Sequence, residues 1–153
     1  MNGSILSGGS THIRYQHYHF PRLIQVVCPN CLNPAKLTHC DAPEAIAHFI
    51  DTDFENRNWI FFCTNCVKRE TKNWTEIPAL KLLNKIEIRQ ELIWAWNADH
   101  LDYIIGLLSG NEIKDHKWSF FKAYINKNWF TKTKNISDIN KLKTMREANS
   151  FHL

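Results

Sequence analysis

An α+β fold is the class this sequence predicts: a small β-rich module over residues 11–96, with a helical extension over residues 97–153 packed on it. Three observations carry that expectation. Short apolar runs punctuated by turn residues fill the chain before Asn97. Two C-x-x-C pairs, Cys28 with Cys31 and Cys63 with Cys66, sit at the ends of two of those runs. From Asn97 onward the apolar period changes from two to that of a helix. The 153 residues suit one domain, and no long linker divides them, so one compact unit is expected. A content of 44% hydrophobic, 12% aromatic and 22% charged residues excludes collagen-like, coiled-coil and wholly disordered chains.

Residues 1–10 are Gly/Ser-rich and aperiodic, which predicts a flexible tail. From Thr11 to Val27 aromatic and β-branched residues dominate. Ile13, Tyr15, His17 and His19 share one parity, and the run resumes at Leu23, so a strand interrupted at Pro21 is expected. After Asn33-Pro34, residues Ala35 to Cys40 read as a return strand. Ala42 to Ile50 read as a short helix entered through Pro43, with Ala45, Ile46 and Phe49 on one face. Asp51 to Asn58 is turn-prone, Trp59 to Phe62 is an apolar strand, and Val67 to Trp74 its return. Pro78 to Lys85 fits one or two helical turns. Ile86, Ile88, Gln90, Leu92, Trp94 and Trp96 then alternate as one extended stretch, which puts both tryptophans on a common face.

The helical half opens at Asn97, an N-cap followed by Asp99 in the first turn. Leu101, Ile104, Ile105 and Leu108 form its apolar stripe, and Ser109-Gly110-Asn111 stops it. Trp118, Phe121, Ile125 and Trp129 predict a second helix broken within residues 126–128. Asn135, with Asp138 three residues on, caps a last helix to about Asn149, with Ile136, Ile139, Leu142 and Met145 at three-residue spacing.

The cysteines carry the chemistry. Five is an odd number, and four fall into two C-x-N-C pairs separated by 31 residues. No run of about 18 apolar residues predicts a membrane span, and Met1 to Gly9 lacks the charged and apolar regions of a secretory signal. A cytoplasmic protein is therefore expected, in which paired thiols bind metal and do not form a disulfide frame. Two residues between thiolates let both sulfurs of a tight turn face one ion, and two such turns complete a tetrahedron. The spacing predicts one structural Zn2+ held by Cys28, Cys31, Cys63 and Cys66, with tetrathiolate iron as its rival. Asn before the second cysteine of each pair suits a left-handed turn residue. Lys36, Lys68 and Arg69 stand near enough in sequence to offset a net −2 centre. Cys40, preceded by His39, reads as a small buried residue, with a redox or substitute-ligand role as the alternative.

The pairs and their flanks resemble a zinc ribbon, although Leu32 and Val67 stand where such knuckles often have glycine. Leu92-Ile93-Trp94-Ala95-Trp96-Asn97-Ala98-Asp99-His100-Leu101-Asp102-Tyr103 is similar to the "LWAYNxEHLDYL" stretch of uncharacterised bacterial zinc-ribbon proteins. Lys127-Asn128-Trp129-Phe130-Thr131-Lys132-Thr133-Lys134-Asn135 is similar to that family's "LPKWMKxAKNR" segment. The likeness covers about residues 25–146 and implies a shared architecture without a transferable activity. Where many members have Gly and extra Cys ahead of the tryptophan motif, this chain has Arg89-Gln90-Glu91.

Charge points to a partner. Residues 1–110 hold 10 Lys/Arg and 11 Asp/Glu, a net of −1, whereas residues 111–153 hold 9 and 4, a net of +5. Lys127, Lys132, Lys134, Lys141 and Lys143 are the candidate partner-binding residues. Lysine outnumbers arginine there, which favours a protein partner, regulatory or immunity-type, over DNA or RNA. Enzyme readings fit less well. A degenerate HNH-like nuclease would use His39 with Asn56 or Asn58, but Thr38 and Val67 stand where its further chemical groups belong. His48-Phe49-Ile50 lacks the glutamate of a zinc deaminase. His100 and Asp102 lie two apart on a helix and cannot form a facing pair. Trp94 and Trp96 could stack bases, with a core wall as the default reading. A non-enzymatic protein is expected.

Overall fold

The computed structural model describes residues 21–42, 44–45, 58–73, 76, 80–119, 122, 125 and 127–150. The expected tail, the strand before Pro21 and most of the helix expected over 42–50 lie outside them. The described chain is α+β. Seven strands are Leu23–Val27 (β1), Pro34–Thr38 (β2), Asn58–Phe62 (β3), Arg69–Asn73 (β4), Lys81–Leu82 (β5), Asn84–Ile88 (β6) and Glu91–Ala95 (β7). Three helices follow, Ala98–Leu108 (α1), Lys127–Lys132 (α2) and Ile136–Ser150 (α3). None of the described helices is long and apolar enough to cross a membrane.

Five strands form an antiparallel sheet in the order β4-β3-β2-β1-β5, and β6 and β7 form a separate hairpin. The large sheet is built from the alternation its sequence carries. Ile24, Val26, Ala35, Leu37, Trp59 and Phe61 project to one face and are buried. The outermost strand, β4, reads Arg-Glu-Thr-Lys-Asn, and Glu70 is paired with Lys68 and Lys72, so charges guard the free edge.

The expected single stretch from Ile86 to Trp96 is instead a hairpin. Arg89 and Gln90 turn the chain with φ of 50° and 71°, the two left-handed residues of a tight hairpin connection. Neither is Asn or Gly, so the turn carries no sequence signal. Arg89 is held there by Asp138, which is buried in the first turn of α3 and accepts its guanidinium at 2.7 Å. Lys81 and Leu82 pair with β1, which corrects the helical turns expected over residues 78–85. Of the helix expected from Trp118 onward, Ser119 and Lys122 are in 3₁₀ turns and α2 begins at Lys127, inside the expected break; residues 120–121, 123–124 and 126 lie outside those described.

The helices pack on the hairpin, α1 and α2 against β7 and α3 against β6, and α3 also lies on α1. Asn97 caps α1 as expected, accepting the His100 backbone N–H at 3.0 Å, and Gly110 with φ of 81° ends it. Asn135 opens α3, its carbonyl accepting the backbone N–H of Ile139. Trp94 and Trp96 are 0% and 1% exposed, so both are core wall and neither can stack a base. Trp94 meets Trp96 and Trp129 edge-on, and His100 stacks on Trp118 with centroids 4.2 Å apart. Asp102 is used elsewhere, in a bidentate pair with Arg146 of α3.

The two sheets meet at Gln25. Its backbone donates to Trp96 O and accepts from Leu83 N, while its buried amide accepts from Asn84 and donates to Asn149 O. Asn149 returns a bond to Asn84, which closes a ring of amides among β1, β6 and the last turn of α3. All three side chains are satisfied, as buried amides require. One contiguous cluster of buried apolar residues extends from Ile24 to Leu142 across both sheets and the helices.

Candidate metal centre

Each cysteine pair lies in the loop of a hairpin, between β1 and β2 and between β3 and β4. Antiparallel pairing of β2 with β3 places the two loops side by side. The four Sγ atoms of Cys28, Cys31, Cys63 and Cys66 lie within 4.8 Å of one another. Across the loops, Cys28 is 3.8 Å from Cys66 and Cys31 is 3.5 Å from Cys63. A tetrahedron with metal–sulfur bonds of about 2.3 Å has edges of about 3.8 Å, so the cluster has the size of a tetrathiolate ion site. All five cysteines are free thiols, and no described pair is bridged. The residues fit the group.

The centre repeats itself about a local two-fold relation. In the first knuckle the backbone N–H of Asn33 points at the Cys31 sulfur, and in the second that of Lys68 points at Cys66. Those donors hold the Cys31 thiol down to about 6 and lower that of Cys66. Burial acts oppositely on Cys63 and pushes it up to about 11. Coordination removes that contrast, since every ligand thiol is then deprotonated. Lys68 is drawn towards Glu70 first and also feels Cys28 and Cys66, so it is the cation that offsets the sulfurs. Lys36 and Arg69 align with Phe62, the residue before Cys63, on either side of it across the sheet.

The two asparagines have a role that spacing alone did not reveal. Asn65 donates to the sulfur of Cys31 and Asn30 donates to that of Cys66, so each knuckle's amide supports the other knuckle's thiolate. Neither asparagine is the left-handed residue. That conformation falls one position after each second cysteine, on Leu32 with φ of 63° and Val67 with φ of 58°. Glycine is the ordinary occupant of such a position, because a branched side chain there is strained by about 1–2 kcal/mol. Both turns therefore hold a non-glycine residue in a left-handed conformation. The missing glycine was the legible signal, and it pointed to these two positions.

Cys40 departs from expectation. It is exposed: β2 ends at Thr38, and Cys40 has the parity of Lys36 and Thr38, opposite to that of the buried Ala35 and Leu37. His39, Cys40 and Asp41 are the other described group of ligand-capable side chains within 4.8 Å. His39 Nδ1 accepts the backbone N–H of Asp41, and its ring meets Trp59 edge-on at 5.4 Å, so it is fixed into the turn.

The candidate partner lysines are spread over α2, α3 and the connection between them. Lys127 and Lys132 are on α2 and Lys134 is in the connection that follows, with Lys127 and Lys134 exposed. Lys141 lines a groove with Ile86 and Met145, whereas Lys143 lines a different one with Asp102 and Arg146. Comparison with protein-family models, curated proteins and solved structures finds no match.

Proposed function

We propose that this chain is a non-catalytic cytoplasmic protein of the zinc-ribbon kind, in which one structural zinc ion joins two knuckles and the basic C-terminal region docks a macromolecular partner. The four-thiol cluster at tetrahedral spacing carries this reading. Four thiolates fill the coordination sphere and leave no position for water or substrate, so the ion acts as a staple. Zinc is proposed over iron because a saturated four-thiolate tetrahedron is its usual structural setting and the staple role calls for no redox change. Elemental analysis should return about one zinc per chain; one equivalent of iron with its visible absorption would replace this assignment.

The partner is proposed to be a protein with an acidic surface, of a regulatory or immunity type. Eight lysines and one arginine in residues 111–153 supply charge without the planar fork that base and phosphate recognition favours. Affinity capture from the native host, with a nuclease-treated parallel sample, tests it. A partner that survives nuclease and is lost on reversing Lys132 and Lys134 to glutamate supports the proposal. A partner released by nuclease favours nucleic acid at the same lysines. Nicking of plasmid with added divalent cation, abolished by His39→Ala, would replace both readings with a nuclease.

A further inference from the structure

The face of the large sheet opposite the core carries a second surface of defined chemistry. Register aligns Gln25 with Lys36, Lys36 with Phe62, and Phe62 with Arg69, giving one row across β1, β2, β3 and β4. The adjacent row aligns Leu23, Thr38, Ile60 and Thr71. Directly opposed residues share a face, so Lys36 and Arg69 flank Phe62 on either side, one strand spacing of about 4.8 Å away. At the β1 end the row is closed, because Gln25 is buried and its amide donates to Asn149 of α3. Over β2 and β3 it is partly exposed, and at Arg69 of β4 it is exposed.

Three features of the open part need an explanation. Phe62 is half-buried yet lies outside the core cluster, and its ring makes no aromatic contact among the described residues. Neither Lys36 nor Arg69 forms an ion pair among the described residues. Ile60, in the next row, is 38% exposed. The acidic residue of these strands, Glu70, has the opposite parity and is engaged with Lys68 and Lys72, so the open face of β2, β3 and β4 carries cations alone. A partly exposed ring between two cations that have no ion pair among the described residues is a platform for an unstacked base, with its phosphates to either side. A duplex offers no free base to the ring.

We propose that this face, centred on Phe62 and flanked by Lys36 and Arg69, binds single-stranded nucleic acid. The proposal is independent of the lysines of α2 and α3 and goes beyond the partner docking inferred above.

Fluorescence anisotropy of the zinc-loaded full chain tests it, using labelled oligothymidylate of about fifteen nucleotides and a duplex of equal length. Single strand should bind at low salt, and duplex at least about tenfold more weakly. Phe62→Leu keeps the apolar bulk and should weaken binding about tenfold, while Phe62→Tyr should retain it. Lys36→Ala combined with Arg69→Ala should reduce the slope of log affinity against log salt by about 1.4, for two lost phosphate contacts. Reversing Lys132 and Lys134 should change nothing, which separates this site from the docking region. Zinc content and a thermal melt of each variant confirm the fold. Absence of binding at low salt, equal affinity for polyglutamate, or loss on reversing Lys132 and Lys134 with no effect of Phe62→Leu would each overturn the proposal.

Discussion

In the sheet end of the molecule, the outer strand β4 has no buried residue at all, and its alignment with β3 depends on the backbone ladder and on the knuckle that joins them. In the hairpin–helix end, Trp94, Trp96, Trp118 and Trp129 are all buried and meet one another and His100 ring to ring. The first region lacks buried residues on its outer strand and carries four clustered thiols in its loops, whereas the second buries four of the largest side chains. A metal bound at those thiols, as proposed above, would tie the loops of the first region as tryptophan packing ties the second.

The sharpest way to break this comparison is to remove a ligand. Cys28→Ser should abolish stoichiometric zinc binding, and because such binding is worth on the order of 10 kcal/mol, the β1–β4 amides should lose hydrogen-exchange protection. If the comparison holds, those of α1 keep more protection than those of β3. Equal loss throughout would show that the two ends fold only together.

Acid probes the other end. His100 is fully buried, its Nδ1 accepts the Trp96 N–H at 3.0 Å, and burial holds it well below the usual histidine range, so it folds neutral. The unfolded chain then binds the extra proton below about pH 6.5, so stability is complete above that value and declines as pH falls below it. The slope cannot exceed about 1.4 kcal/mol per pH unit for one site. Urea midpoints of the wild type and of His100→Gln, measured from pH 7.5 to 5, should converge as the solution becomes acidic. Parallel curves would remove His100 from the acid response, and zinc release followed in the same samples separates thiolate protonation.

Smaller effects sharpen the picture at the knuckles. Asn65→Ala and Asn30→Ala should each weaken zinc affinity by about 10–100-fold in a competition titration, since each removes a donor to a thiolate of the opposite loop. Val67→Gly should raise stability by up to about 1 kcal/mol in a urea melt, because it relieves a left-handed valine at a position 71% exposed. A loss of stability on that change would mean the valine side chain is itself used.

How far the sequence could be read followed the range of each signal. The knuckle strands, the Asn97 cap, the Gly110 stop and each cysteine pair of the cluster were legible because each rests on residues close together in the chain. The hairpin turn at Arg89-Gln90 was not, since neither residue favours the left-handed conformation, and Asp138 from α3 supplies what the local sequence lacks. Cys40 was misplaced because burial was inferred from residue type, whereas its parity is that of Lys36 and Thr38 and not of the buried Ala35 and Leu37. Phe62 was hidden inside an apolar run whose alternation puts Trp59 and Phe61 in the core and leaves Ile60 and Phe62 outside it.

By itself the sequence determined that thiols come in pairs at metal spacing and that an apolar stripe follows a good cap, because both are properties of neighbouring residues. Tertiary structure alone decided that Asn30 and Asn65 serve each other's loops, that Gln25 joins two sheets, and that Lys36, Phe62 and Arg69 form a row. Those relations depend on which strand lies beside which, and strand order is set by the burial of the whole chain, which no local window contains.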